Sequence, residues 1–317
     1  MVVIKFFKDL NKDSVKEAGG KGASLGEMYS LDIPVPNGFV VLTNSFDLYI
    51  KENNLDLKIK KILKTVNIKK TETIEKASEI IKQLILSGKL TKNLLKEINT
   101  NFKKLNCKFV AVRSSATCED SSSAAWAGQL NTYLNTTNKK LIENIKKCWA
   151  SLYTSRAIFY RFEQKLNNTN VSVAVVIQKM IDSEVSGIAF SVHPVTEDYN
   201  QLIIEAGYGL GELIVSGSIT PDNYVVNKKK LQILYKKVNI QNKAIYKCFK
   251  KGTKCVTITK TKAVSQKLTD KQIIKLSKLT IKIEKHYNFP VDVEWAIEKN
   301  KIYITQSRPI TTLKKTK

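Results

Sequence analysis

Residues 291–309, VDVEWAIEKNKIYITQSRP, constrain the fold more than any other stretch. Two runs of strand-forming residues flank a short polar turn, the pattern of an antiparallel hairpin. Period two puts Val291, Val293, Trp295 and Ile297 on one face and Asp292, Glu294 and Ala296 on the other. On the return strand, Ile302, Ile304, Gln306 and Arg308 are expected to share a face. An odd-length turn, such as Lys299-Asn300-Lys301, sets Glu294 opposite Gln306 and Asp292 opposite Arg308. A carboxylate and an amide oxygen then converge at the end of a sheet. Hard oxygen donors of this kind suit Mg2+, which completes its shell with water and substrate phosphate. Arg308 would then bind a further phosphate. The plainer reading is a structural Asp292–Arg308 pair on an exposed sheet face. Matched polar groups on two otherwise apolar strands favour the first.

The chain has 317 residues, 43% of them hydrophobic, enough for a buried core and two or three domains. No apolar run approaches the roughly 20 residues that span a bilayer. The start, MVVIKFFKDL, turns acidic too soon for a secretory signal, so a soluble, cytoplasmic protein is expected. The five cysteines form no Cys-x-x-Cys pair, and His193 and His286 lie near none of them, which argues against zinc. Lys and Arg outnumber Asp and Glu by 53 to 28, a net charge of +25. The excess is mostly Lys on helix faces, without the Arg and aromatic interleaving of a base-stacking platform. A nucleic-acid partner therefore ranks last among the readings.

Along the chain, EAGGKGASLGEM reads as a glycine-rich loop running into a short helix. Gly19, Gly20 and Gly22 flank Lys21, a pattern that lets backbone N–H groups and an ammonium approach an anion. It is not a Walker A loop. On this stretch alone an ordinary glycine turn with an exposed Lys is the better reading. Residues 44–105 read as helical, with Thr71 or Thr73 capping one helix and Gly88 ending it. KFVAVRSSA is an apolar strand that delivers Arg113 to a polar turn. The small-residue loop from Ser121 to Gly128 suits a lid over phosphates, against a surface turn in which Arg113 pairs with Glu119 or Asp120. Residues 138–166 read as one long amphipathic helix.

From 171 the chain becomes strand-rich. Gln178 and Lys179 end an apolar strand, where a backbone edge could meet an adenine or simply turn. Glu205 follows another strand, and the Gly207, Gly209 and Gly211 spacing is not the dinucleotide fingerprint. Thr269 and Gln272 have capping-box spacing before the last helix. The partly segregated helical and strand blocks give an α+β fold in several lobes.

Read in order, GGKGASLGEM…IPVPNGFVV, VAVRSSATCED…AGQLNTYLN, VVIQKMI…SGIAFSVHPVT, IIEAGYGLGE and VDVEWAIEKNKIYITQSRPIT resemble the N-terminal nucleotide-binding domain of phosphoenolpyruvate synthase (pyruvate, water dikinase). Pyruvate phosphate dikinase and rifampicin phosphotransferase share that domain. The resemblance covers essentially the whole chain. It implies an ATP-grasp-type fold, with a 1–170 lobe carrying the glycine loop and phosphate lid and a 171–317 lobe carrying the metal hairpin. It implies ATP and Mg2+ as cofactors. Lys21 and Arg113 would hold phosphates, and Gly128 and Thr132 would belong to the lid. Gln178 would meet the adenine, Glu294 and Gln306 would ligate Mg2+, and Arg308 would contact phosphate. Lys21, Arg113 and Arg308 would be the catalytic cations.

In that family ATP pyrophosphorylates a histidine, and AMP and a phosphohistidine remain. The phosphohistidine and pyruvate-binding domains that follow in such enzymes are not found here, and neither His193 nor His286 has the expected setting. The resemblance thus implies the ATP-side half of the chemistry, with the acceptor on a separate chain or a missing C-terminal region. A more acidic partner would suit the basic surface. A rifampicin-phosphotransferase-like half and a non-catalytic ATP-binding module are the alternatives.

Overall fold

The computed structural model describes residues 2–117, 131–164, 171–248 and 252–313. The chain is α+β and divides into two compact units, Met1–Glu27 with Asn37–Met180, and Met28–Pro36 with Ile181–Lys317. The sequence placed the boundary near 170, but the strand at Val173–Lys179 is the middle strand of the first unit's sheet, so that unit runs on to Met180.

The elements of the first unit are β1 (Ile4–Phe6), α1 (Val15–Ser30, whose end lies in the second unit), β2 (Gly38–Val41), α2 (Thr43–Glu52), α3 (Asp56–Lys64), α4 (Thr71–Ser87) and α5 (Lys92–Lys104). They continue with β3 (Val110–Ala116), β4 (Thr132–Thr136), α6 (Asn138–Ala150), α7 (Ser155–Glu163) and β5 (Val173–Lys179). The five strands form an antiparallel sheet in the order β1-β2-β5-β3-β4. Helices cover one face. Ile74, Ala77, Ile81 and Ile85 of α4 recur at helical spacing and are buried in one cluster with Val110 and Val112 of β3. Trp149 of α6 sits at its centre, with its ring 4.8 Å from Tyr49 and 5.9 Å from Phe46.

Two local expectations change. The helix read over 138–166 is interrupted at Ser151–Tyr153, a 3-10 turn. Ser151 Oγ donates to the Cys148 carbonyl (2.7 Å), and the Thr154 side chain, accepting from Ala157 N, starts a new helix there. Neither Thr71 nor Thr73 caps α4: Thr73 Oγ1 instead binds Asn67 and Lys70, while Gly88 does end the helix.

The second unit contains β6 (Val185–Phe190), β7 (Gln201–Tyr208), α8 (Glu212–Val215), β8 (Asp222–Asn227), β9 (Gln232–Lys237), β10 (Lys243–Cys248), β11 (Gly252–Thr257), α9 (Lys260–Ala263), α10 (Asp270–Tyr287), β12 (Val291–Glu298) and β13 (Lys301–Pro309). Six strands form an antiparallel sheet, β13-β12-β6-β7-β8-β9, and β10 and β11 make a separate ribbon. The capping box at Thr269 and Gln272 is present at the start of α10, as its spacing predicts. Residues 28–36 belong to this unit, where Ile304 N donates to the Pro34 carbonyl and Lys282 Nζ to the Leu31 carbonyl. Trp295, 1% exposed, pairs with Gly187 of β6, and a side chain at Gly187 would overlap both the indole and the Glu205 carbonyl.

The hairpin's pairing is as read, but for a different reason. Asp292 lies opposite Arg308 and Glu294 opposite Gln306. The turn is two residues, Lys299 and Asn300, with φ of 48° and 60°, the combination of a type I′ turn. A bulge at Thr305 supplies the extra residue, because Trp295 pairs with Ile304 and Glu294 with Gln306. Ile302 and Ile304 therefore share the face of Ile297 and Trp295. Gln306 and Arg308 lie on the opposite face, so the expected common face for these four residues is corrected.

Candidate functional site

In the first unit, β3 carries Arg113, which is 7% exposed. Its Nη1 donates to Gln178 Oε1 at 3.2 Å. The register explains the meeting: Ala111 lies opposite Gln178 and Arg113 opposite Val176, so both side chains belong to one face of the sheet. Arg113 also lies opposite Thr132, an exposed residue at the start of β4. Ser114 N and Oγ both donate to the Asn131 carbonyl, which fixes the beginning of that strand. Arg113, Gln178 and Thr132 are thus brought together. Gly128 lies outside the described residues.

Lys21, half-buried, is carried by α1. Gly19 kinks that helix with a φ of 68°, and any side chain there would overlap Ser115. Gly22 N donates to Ser115 Oγ (3.2 Å), which in turn donates to the Ala18 carbonyl (2.9 Å). The glycines thus serve close packing of α1 against β3 at Ser115. Burial pushes the Cys148 thiol well above its usual value, and the positive charge of Lys21 opposes part of that rise.

In the second unit, Glu294 is half-buried and Gln306 is 7% exposed, directly opposed on one sheet face. Asp292 takes the Arg308 Nε with both carboxylate oxygens, at 2.9 and 2.7 Å. The Arg308 side chain is 41% exposed, so this pair contributes little to stability and instead orients the guanidinium. The Asp292–Arg308 pair of the plainer sequence reading is present. One carboxylate and one amide oxygen fit Mg2+, which takes few protein ligands and prefers oxygen. Among the described residues no cluster of three or more His, Cys, Asp or Glu side chains forms an all-protein cage.

The same row of the sheet continues through Ile188 to Glu205 and then Asn223. Strands about 4.8 Å apart put the backbones of Glu294 and Glu205 about 10 Å apart on one face. Burial raises the Glu205 carboxyl, and also that of Glu212 in α8. The sequence reads Glu205 as following a strand and gives it no role, whereas it lies inside β7 and pairs on both sides. Its place beside Glu294 depends on β6 pairing with both β12 and β7, which no local pattern states.

The family described as "Pyruvate phosphate dikinase, AMP/ATP-binding domain" matches residues 15–317. The chain belongs to this family. Relatives agree with the dikinase assignment. The probable phosphoenolpyruvate synthase of Methanocaldococcus jannaschii is 43% identical over 325 residues, covering 100% of this chain and 27% of that protein. The probable phosphoenolpyruvate synthase of Archaeoglobus fulgidus is also 43% identical, covering 99% of this chain and 42% of that protein. The rifampicin phosphotransferase of Bacillus cereus is 37% identical, covering 97% and 36%. The chain spans less than half the length of each of these relatives. Among solved structures, D-alanine-D-alanine ligase from Helicobacter pylori aligns over 68% of this chain and 46% of its own, with a TM-score of 0.31 and 13% identity. A likeness that distant adds nothing to the dikinase assignment. No helix among the described residues is long and apolar enough to cross a membrane.

Proposed function

We propose that this dikinase-family domain is the ATP-binding half of a phosphoenolpyruvate synthase. It binds Mg-ATP and passes the pyrophosphoryl group to a histidine outside this chain, leaving AMP. The observation that carries the reading is the opposed pair of Glu294 and Gln306, with Arg308 oriented beside it by Asp292. Mg2+ bound there would neutralise charge on the phosphate oxygens. Lys21, Arg113 and Arg308 would hold phosphates, Thr132 and Gly128 would belong to the lid, and Gln178 would meet the base. Catalysis by such a set is positioning and charge neutralisation.

The two histidines of the chain support an external acceptor. His193 Nδ1 accepts from Val195 N and Thr196 N (both 3.3 Å) and so belongs to its own turn, and His286 lies in the last turn of α10. The test is to mix the chain with a separately expressed histidine-bearing portion of a phosphoenolpyruvate synthase and Mg-ATP. AMP and an acid-labile phosphohistidine are expected. ATP binding without AMP release would favour a non-catalytic module. The Bacillus cereus relative keeps a second dikinase reading in view, in which AMP forms only when the supplied portion comes from a rifampicin phosphotransferase.

A further inference from the structure

Strand β4 carries a second bulge, opposite Ala111. Val110 pairs with Thr136 and Val112 with Tyr133, which leaves Leu134 and Asn135 facing one residue. Val110 and Val112 belong to the cluster that packs against α6, and Asn144 of α6 donates to Thr136 Oγ1 at 2.8 Å. The register therefore assigns Leu134 and Asn135 to the other face, that of Ala111, Arg113 and Gln178.

Asn135 is 5% exposed, yet neither its Nδ2 nor its Oδ1 has a hydrogen-bond partner. Its φ of 51° explains why an Asn is tolerated there, since Asn adopts positive φ more readily than most residues. It does not explain the burial of two unsatisfied amide atoms. A buried donor or acceptor left without a partner is destabilising, and such groups are rare in native proteins. Across the row, Ala111 separates Asn135 from Gln178 by one small side chain. Asn135 and Gln178 thus carry amides on one sheet face, on the two strands that flank Ala111.

We propose that Asn135 contacts the nucleotide base, its amide giving and accepting hydrogen bonds at the purine edge while Gln178 flanks the base from the other side. An amide matches adenine in this way, accepting from the amino group and donating to a ring nitrogen. This rests on the ATP reading above.

The test is calorimetry on the full chain with Mg-ATP and with Mg-tripolyphosphate, which lacks a base. Asn135→Gly keeps the positive φ and removes the amide, and Asn135→Asp keeps the shape and removes the donors. In both variants ATP affinity is expected to fall about tenfold, the worth of one good hydrogen bond. In Asn135→Gly, tripolyphosphate affinity and melting temperature should stay near wild type. Unchanged ATP affinity in Asn135→Gly overturns the proposal. So does an equal loss for both ligands, which would place Asn135 in the fold or the phosphate site. Wild-type chain that fails to bind ATP overturns the nucleotide reading itself, separately from the variants.

Discussion

Asp292 and Glu294 lie two residues apart on one strand face but differ in what holds them. Asp292 is committed to Arg308, whereas Glu294 faces the amide of Gln306. Glu294→Ala is expected to remove at least tenfold of the ATP affinity that Mg2+ adds and to leave the melting temperature near wild type, because the side chain is only half-buried. Unchanged Mg2+ dependence in calorimetry would contradict the hairpin's role. Glu205 makes a different prediction. Burial raises its carboxyl, so the folded chain holds that proton more tightly than the unfolded chain. Below the usual Glu value of about 4.3 the acid is neutral in both states and has no effect. As pH rises through the raised folded value, the penalty for ionising it develops in full. Glu205→Gln is therefore expected to raise the melting temperature at neutral pH and not in acid. Equal shifts across a pH series of thermal melts would refute this.

At the scale of elements, the hairpin shows what the sequence carries and what it leaves out. Alternation in VDVEWAI gives the strand and its polar face, and the match of Glu294 with Gln306 is legible from it. The bulge at Thr305 is not, because an odd-length turn and a two-residue turn plus a bulge produce the same pairing. The turn's two positive φ values suit Asn-Gly better than Lys-Asn. The double substitution Lys299→Asn with Asn300→Gly is expected to stabilise the chain by about 1 kcal/mol, read from denaturant melts. Contacts between helices are equally silent in the sequence. Lys146 of α6 donates to the Leu86 and Gly88 carbonyls (2.6 and 3.0 Å) and closes the end of α4. Lys146→Met is expected to cost about 1–2 kcal/mol in the same melts.

At the scale of the whole molecule, the α+β class, the strand-rich second half and the ordered motifs are legible along the chain. The unit boundary is not, because β5 reads like the strands that follow it, and only its pairing with β2 and β3 assigns it to the first sheet. The same holds for residues 28–36, which join the second unit through bonds such as Ile304 N to the Pro34 carbonyl. Of the candidate residues, Lys21, Arg113, Thr132 and Gln178 belong to the first unit, and Glu294, Gln306 and Arg308 belong to the second. The most direct measurement is titration calorimetry of the intact chain with ATP, with and without Mg2+, using AMP as comparator. Binding of ATP that is tighter than AMP and strengthened by Mg2+ is the expected result. Binding that ignores Mg2+, or no binding of ATP at all, would contradict the assignment of this chain as a working nucleotide half.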